Sequence, residues 1–129
     1  MTADPVLLYD GDCAFCTTSV RTAERLLGAG HWRSVPFQAA DLDRLAEFTG
    51  GSVSAERAER EVLWITPNGR VYGGAQAAAR ALMRAGGVWA YAGAALTLPG
   101  IREVAAGVYH VVSVNRHRLP GGTPACATR

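Results

Sequence analysis

Val6-Leu7-Leu8-Tyr9-Asp10-Gly11-Asp12-Cys13-Ala14-Phe15-Cys16 is the stretch on which the reading of the fold turns. Val6 to Tyr9 is a continuous apolar run, the pattern of a strand buried on both faces. Asp10-Gly11-Asp12 interrupts it and offers Asp12 as N-cap of a following helix. Cys16, Val20, Ala23 and Leu27 then recur at helical spacing and form one stripe of that helix. The stripe puts Cys16 at the head of the buried side and Cys13 at an exposed helix mouth. Gly28 and Gly30 end the element. A C-x-x-C between a strand and a helix start is the sequence form of a dithiol redox site.

Outward from this unit, Trp32 to Phe37 reads as a second strand and about Asp41 to Phe48 as a helix closed by Gly50-Gly51. Ser54 to Arg60 is polar and reads as a short helix or a surface loop. Val62-Leu63-Trp64-Ile65 is the clearest strand; Pro67-Asn68-Gly69 turns it back into Val71-Tyr72 as a hairpin. Gly73-Gly74 leads into an Ala-rich helix from Ala75 to about Arg84. The order β-α-β-α-β-β-α is that of a thioredoxin-like α/β core. Helical material follows, from Val88 to Leu98 and from Ile101 to about Val114. In the latter Ile101, Val104, Ala105, Val108, Val111 and Val112 share a face, although β-branching leaves a strand open for Val108 to Val114. With no internal repeat or linker, one domain is expected: a core of about 6–86, a helical C-terminal extension of about 87–118 and a flexible tail of about 119–129.

Composition narrows the function. The chain has 129 residues, 49% of them hydrophobic, enough to bury a core without staples. A formal net charge of +2, with no basic patch interleaved with aromatics, argues against nucleic acid as a partner. Met1-Thr2-Ala3-Asp4-Pro5 lacks the basic and apolar regions of a signal peptide, so a cytoplasmic setting is expected. Three cysteines in a reducing compartment suit a catalytic or metal-binding pair better than a disulfide framework. Ala85 to Ile101 carries no charge, but its Gly punctuation and Pro99 make a poor membrane span. Helices buried in the core are expected there, with a surface docking patch as the alternative, and no membrane association.

Thiol-disulfide exchange needs a thiolate, and the start of a helix favours one through its N–H groups and dipole. Cys13 holds that position and is the expected attacking thiol. Cys16, one turn along, is the expected resolving thiol. Asp10 and Asp12 would oppose ionisation of Cys13 by like charge; Asp10 is also a candidate proton carrier for Cys16, and Asp12 a structural cap. A metal half-site is the competing reading of the two thiolates, and it needs two further ligands. His31, His110, His117 and Cys126 fall into no second knuckle. Cys126 reads as an auxiliary thiol or an incidental one, and Asn115-Arg116-His117-Arg118 as helix-end compensation or an anion contact. No nucleotide fingerprint or Ser-His-Asp pattern is present. No cofactor is called for.

Tyr9-Asp10-Gly11-Asp12-Cys13-Ala14-Phe15-Cys16 resembles the Asp-x-x-Cys-x-x-Cys signature of the DCC family of predicted thiol-disulfide oxidoreductases. Gly69-Arg70-Val71-Tyr72-Gly73-Gly74-Ala75-Gln76-Ala77 is similar to that family's hairpin and helix, and Tyr109 with Asn115-Arg116 to its C-terminal feature. A late cysteine like Cys126 also recurs there. The resemblance, from about Val6 to Cys126, implies a thioredoxin-like fold and protein-disulfide reductase activity on Cys13 and Cys16. The family aspartate falls on Asp10. Substrates would be protein or small-molecule disulfides, with electrons from an external thiol. A metal-binding protein and a non-catalytic interaction module are the alternatives. One departure from thioredoxins proper stands out: Ala58-Glu59-Arg60-Glu61 precedes the strand at Val62 without the proline that normally presents backbone to substrate.

Overall fold

The structure is a computed structural model and describes residues 4–28 and 30–115. β1 (Val6–Tyr9), β2 (Arg33–Pro36), β3 (Leu63–Ile65) and β4 (Val71–Gly73) form a sheet in the order β2-β1-β3-β4. β1 and β2 run parallel, with Leu7 opposite Ser34; β1 and β3 run antiparallel, with Leu8 opposite Leu63. β3 and β4 close the sheet as the hairpin read from Pro67-Asn68-Gly69, with Trp64 opposite Tyr72. This mixed sheet, with helices on both faces, is the thioredoxin-like α/β arrangement expected from the element order.

Alternation along β1 splits the core in two. Leu7 points to one face and joins Val20, Trp32, Trp64, Ala77 and Ala81. That face is covered by α1 (Ala14–Leu27) and α4 (Ala75–Ala85). Trp32 and Trp64 meet edge to face with centroids 5.7 Å apart, a geometry worth about 1 kcal/mol beyond the area buried. Leu8 points to the other face, with Phe37, Val53, Ala58, Leu63 and Ile65. There α2 (Leu42–Phe48) and α3 (Ala55–Arg60) lie, their first turns capped by the Asp41 and Ser54 side chains. Ser54 to Arg60 therefore resolves as a helix.

α5 (Gly87–Ala95) packs on α4. Close approach requires glycine at position 93, where a Cβ would stand 2.5 Å from the Ala79 carbonyl oxygen. The expectation of buried helices between Ala85 and Ile101 is corrected. Val88 and Tyr91 are 76% and 80% exposed, because only one side of this thin helix meets α4. α6 (Ile101–Asn115) is one helix throughout, so the strand alternative for Val108 to Val114 falls away. Tertiary contact and an intact hydrogen-bond ladder outweigh β-branching there. Its apolar face divides: Ala105, Tyr109 and Val112 turn inward, whereas Ile101, Val104, Val108 and Val111 remain exposed. The expected tail of about 119–129 lies outside the described residues.

Candidate dithiol site

The sheet topology gathers several chain segments at one edge. β1 and β2 are parallel and both end there; β3 is antiparallel to them and begins there. The Asp10-Gly11-Asp12 loop, the turn after β2 and the approach to Val62 are thus neighbours. α1 starts at the same edge, as strand-to-helix connections in such sheets dictate.

The helix cap is not Asp12. Cys13 is the N-cap of α1, with extended backbone, and the Cys16 backbone N–H donates to its Sγ at 3.4 Å. Cys13 N–H is itself held by the Asp10 carbonyl at 3.3 Å, and its own carbonyl accepts the Thr17 N–H at 3.0 Å. Asp12 is exposed, and its N–H donates to Asp10 Oδ1 at 3.0 Å. Cys13 and Cys16 lie close, with 3.4 Å from the Cys16 nitrogen to Cys13 Sγ, but their accessibilities are the reverse of those expected. Cys13 is 0% exposed, whereas Cys16 is only half-buried. A cap side chain folds back over the helix end, while Cys16, already in the first turn, borders an open cleft. The expectation of an exposed Cys13 and a buried Cys16 is corrected on that ground.

Asp10 is 3% exposed and is built into the loop rather than offered to solvent. Gln38, in a short 3₁₀ turn (Phe37–Ala39) directly after β2, donates from Nε2 to Asp10 Oδ1 at 2.7 Å. The same amide accepts the Gly11 N–H on Oε1 at 2.9 Å. Gln38 thereby clamps the loop that delivers Cys13. Sequence reading passed over Gln38; the signal was topological, a polar residue two positions past the end of the strand parallel to β1.

The strand-entry loop before β3 is closed from outside the core. Val62 N–H donates to the Tyr109 hydroxyl at 3.0 Å, and Ser113 Oγ donates to the Arg60 carbonyl at 2.8 Å. No cis peptide occurs among the described residues. Where a proline would carry no N–H, this chain has one and covers it with α6. Gly74, at φ 61° and ψ −128°, makes room for the Tyr109 ring, which lies 3.1 Å from where a Cβ would stand. An L side chain would be strained there as well as crowded.

Beside Cys16 lies an apolar cleft of about 210 Å³ between α1, α4, α6 and the start of β3. Among the described residues, no group of three or more His, Cys, Asp or Glu side chains is placed to hold a metal ion. His117, Cys126 and the Arg116–Arg118 cluster lie outside the described residues. No helix among those described is long and apolar enough to cross a membrane.

A family model described as DCC1-like thiol-disulfide oxidoreductase matches residues 7–122. No curated protein and no solved structure matched the chain.

Proposed function

The chain belongs to the DCC1-like thiol-disulfide oxidoreductase family, whose general chemistry is thiol-disulfide redox, and from that premise we propose that Cys13 and Cys16 form the dithiol that reduces a substrate disulfide. The observation that carries the reading is the Cys16 N–H directed at Cys13 Sγ across the first turn of α1. A helix N-terminus lowers the cost of a thiolate at that point. Cys13 attacks one sulfur of the substrate disulfide, a mixed disulfide forms, and one thiol leaves. Cys16 then attacks the Cys13 sulfur, the second thiol leaves, and the pair is left oxidised. Asp10, adjacent in the loop, receives the Cys16 proton. An external thiol returns two electrons and restores the pair. The protein acts in the cytoplasm, on protein or small-molecule disulfides, without a cofactor.

Accessibility favours a second order of events. Cys13 is disulfide-bonded and wholly buried in the structure, so a substrate sulfur reaches it only after that bond is reduced and the atoms over it move, whereas Cys16 is in part exposed. Trapping decides between the two. Reduced Cys16→Ser protein, with Cys126→Ser to remove the third thiol, is expected to accumulate a mixed disulfide on Cys13. Accumulation only in the Cys13→Ser counterpart assigns the first attack to Cys16. Absence of any adduct in either variant overturns the dithiol reading.

A further inference from the structure

The cleft beside Cys16 has a chemistry that the dithiol reading alone does not specify. Leu7, Phe15, Val20, Trp32, Ala81 and Val112 supply much of its wall, and no charged side chain lines it among the described residues. The lining residues with polar side chains, among them Ser19, Tyr109 and Ser113, are neutral. Cys16 is part of the same wall, so whatever fills the cleft lies against Cys16, one helical turn from Cys13. Its volume, about 210 Å³, exceeds the roughly 150 Å³ in which an apolar cavity takes up benzene. It remains below the range usual for drug-sized ligands, about 300–1,000 Å³. One aromatic ring or a short branched aliphatic chain matches it.

Charge decides the class of substrate. A disulfide carrying carboxylates, such as glutathione disulfide, would have to bring them out of water toward a wall with no cation among the described residues, which is costly. A neutral disulfide with an apolar substituent meets no such penalty and gains by burying that substituent.

We infer that this cleft is the substrate subsite of the dithiol and takes the neutral aromatic or branched aliphatic substituent of a disulfide. The inference rests on the dithiol reading and adds the substrate class to it. The reaction is stoichiometric in the reduced protein. The Cys13 thiolate attacks the substrate S–S bond and one thiol leaves. The Cys16 thiolate then displaces the second, so one disulfide becomes two thiols while the pair loses two electrons and two protons. The apolar substituent remains in the cleft through the first step and leaves with its thiol.

The test is a single-turnover comparison using the reduced full chain. Benzyl 2-hydroxyethyl disulfide, bis(2-hydroxyethyl) disulfide and glutathione disulfide are mixed with it in turn. Each rate is divided by the rate of the same disulfide with free dithiothreitol, which removes intrinsic reactivity. The benzyl compound is expected to exceed both others by about 10- to 100-fold, the gain from burying one ring. Ala78→Leu, which places a larger side chain in the wall from α4, is expected to reduce that advantage at least severalfold. Equal normalised rates for the three compounds, with the pair becoming oxidised, overturn the cleft and leave the dithiol reading standing. No oxidation by any of them overturns both. An independent readout uses the uncleavable thioether benzyl 2-hydroxyethyl sulfide. Saturable NMR shifts of residues lining the cleft, weakened in Ala78→Leu, support the subsite, and their absence in the wild-type protein contradicts it.

Discussion

Asp10 and Gln38 show how a loop of three residues becomes a rigid platform. The buried carboxylate accepts from Asp12 N–H and Gln38 Nε2, while the Gln38 carbonyl oxygen accepts from Gly11 N–H. Truncation as Gln38→Ala removes two of these three hydrogen bonds at once, one of them to a carboxylate. A loss of about 1–2 kcal/mol in unfolding free energy is expected, measured by urea denaturation. Asp10→Asn keeps the size of the side chain but not the charge or the basicity. If Asp10 carries the Cys16 proton, the variant folds, still forms the mixed disulfide, and resolves it about 100-fold more slowly. Stopped-flow resolution measured against pH checks this; an unchanged rate and pH profile would leave Asp10 with a structural role only.

At the scale of elements, α6 matters through what it reaches. Tyr109 and Ser113 cover the backbone that leads into β3, so the helix closes the site while contributing little to the core. Tyr109→Phe strands the Val62 N–H and is expected to cost about 1 kcal/mol or more, read from the denaturation midpoint. The start of α6 carries its own pH dependence. Gly100 N–H donates to Glu103 Oε2, and that bond, more than the Arg102 guanidinium, holds the Glu103 carboxyl below the usual glutamate value. A carboxyl whose pKa is lowered in the fold stabilises it above the unfolded value and ceases to do so as pH falls through the folded one. An NMR titration of Glu103 should accordingly have its midpoint below that of a glutamate in an unstructured peptide. These elements were unevenly legible in the sequence. Strong local periodicity marked β1, α1, β3 and the hairpin, and the element order gave the fold. The cap was misread because Asp12 and Cys13 are both competent acceptors at adjacent positions, and local preference for Asp does not reveal which backbone is extended. Burial of α5 was misread because Ala, Gly and aromatic residues score as apolar whether or not a neighbour covers them.

For the whole molecule, two apolar faces of one sheet do most of the stabilising, and the C-terminal helices are attached to the edge of one of them. Substitutions should divide accordingly. Val20→Ala, on the buried face of α1, is expected to cost about 2 kcal/mol. Val104→Ser and Val108→Ser, 68% and 59% exposed in the native helix, should each change stability by about 0.5 kcal/mol or less. A comparable loss at all three positions by urea denaturation would contradict the exposed placement of that stripe. Among the described residues, the ends of the parallel strands β1 and β2, the start of the antiparallel β3 and the N-terminus of α1 converge at the edge proposed to carry the chemistry. Whether Cys13 and Cys16 then cycle between dithiol and disulfide is the central question. The most direct measurement is the redox state of the pair in Cys126→Ser protein equilibrated across a series of glutathione ratios, read by thiol alkylation and mass spectrometry. A single two-electron transition yielding an intramolecular Cys13–Cys16 disulfide is predicted; a pair that never closes at any ratio would contradict it.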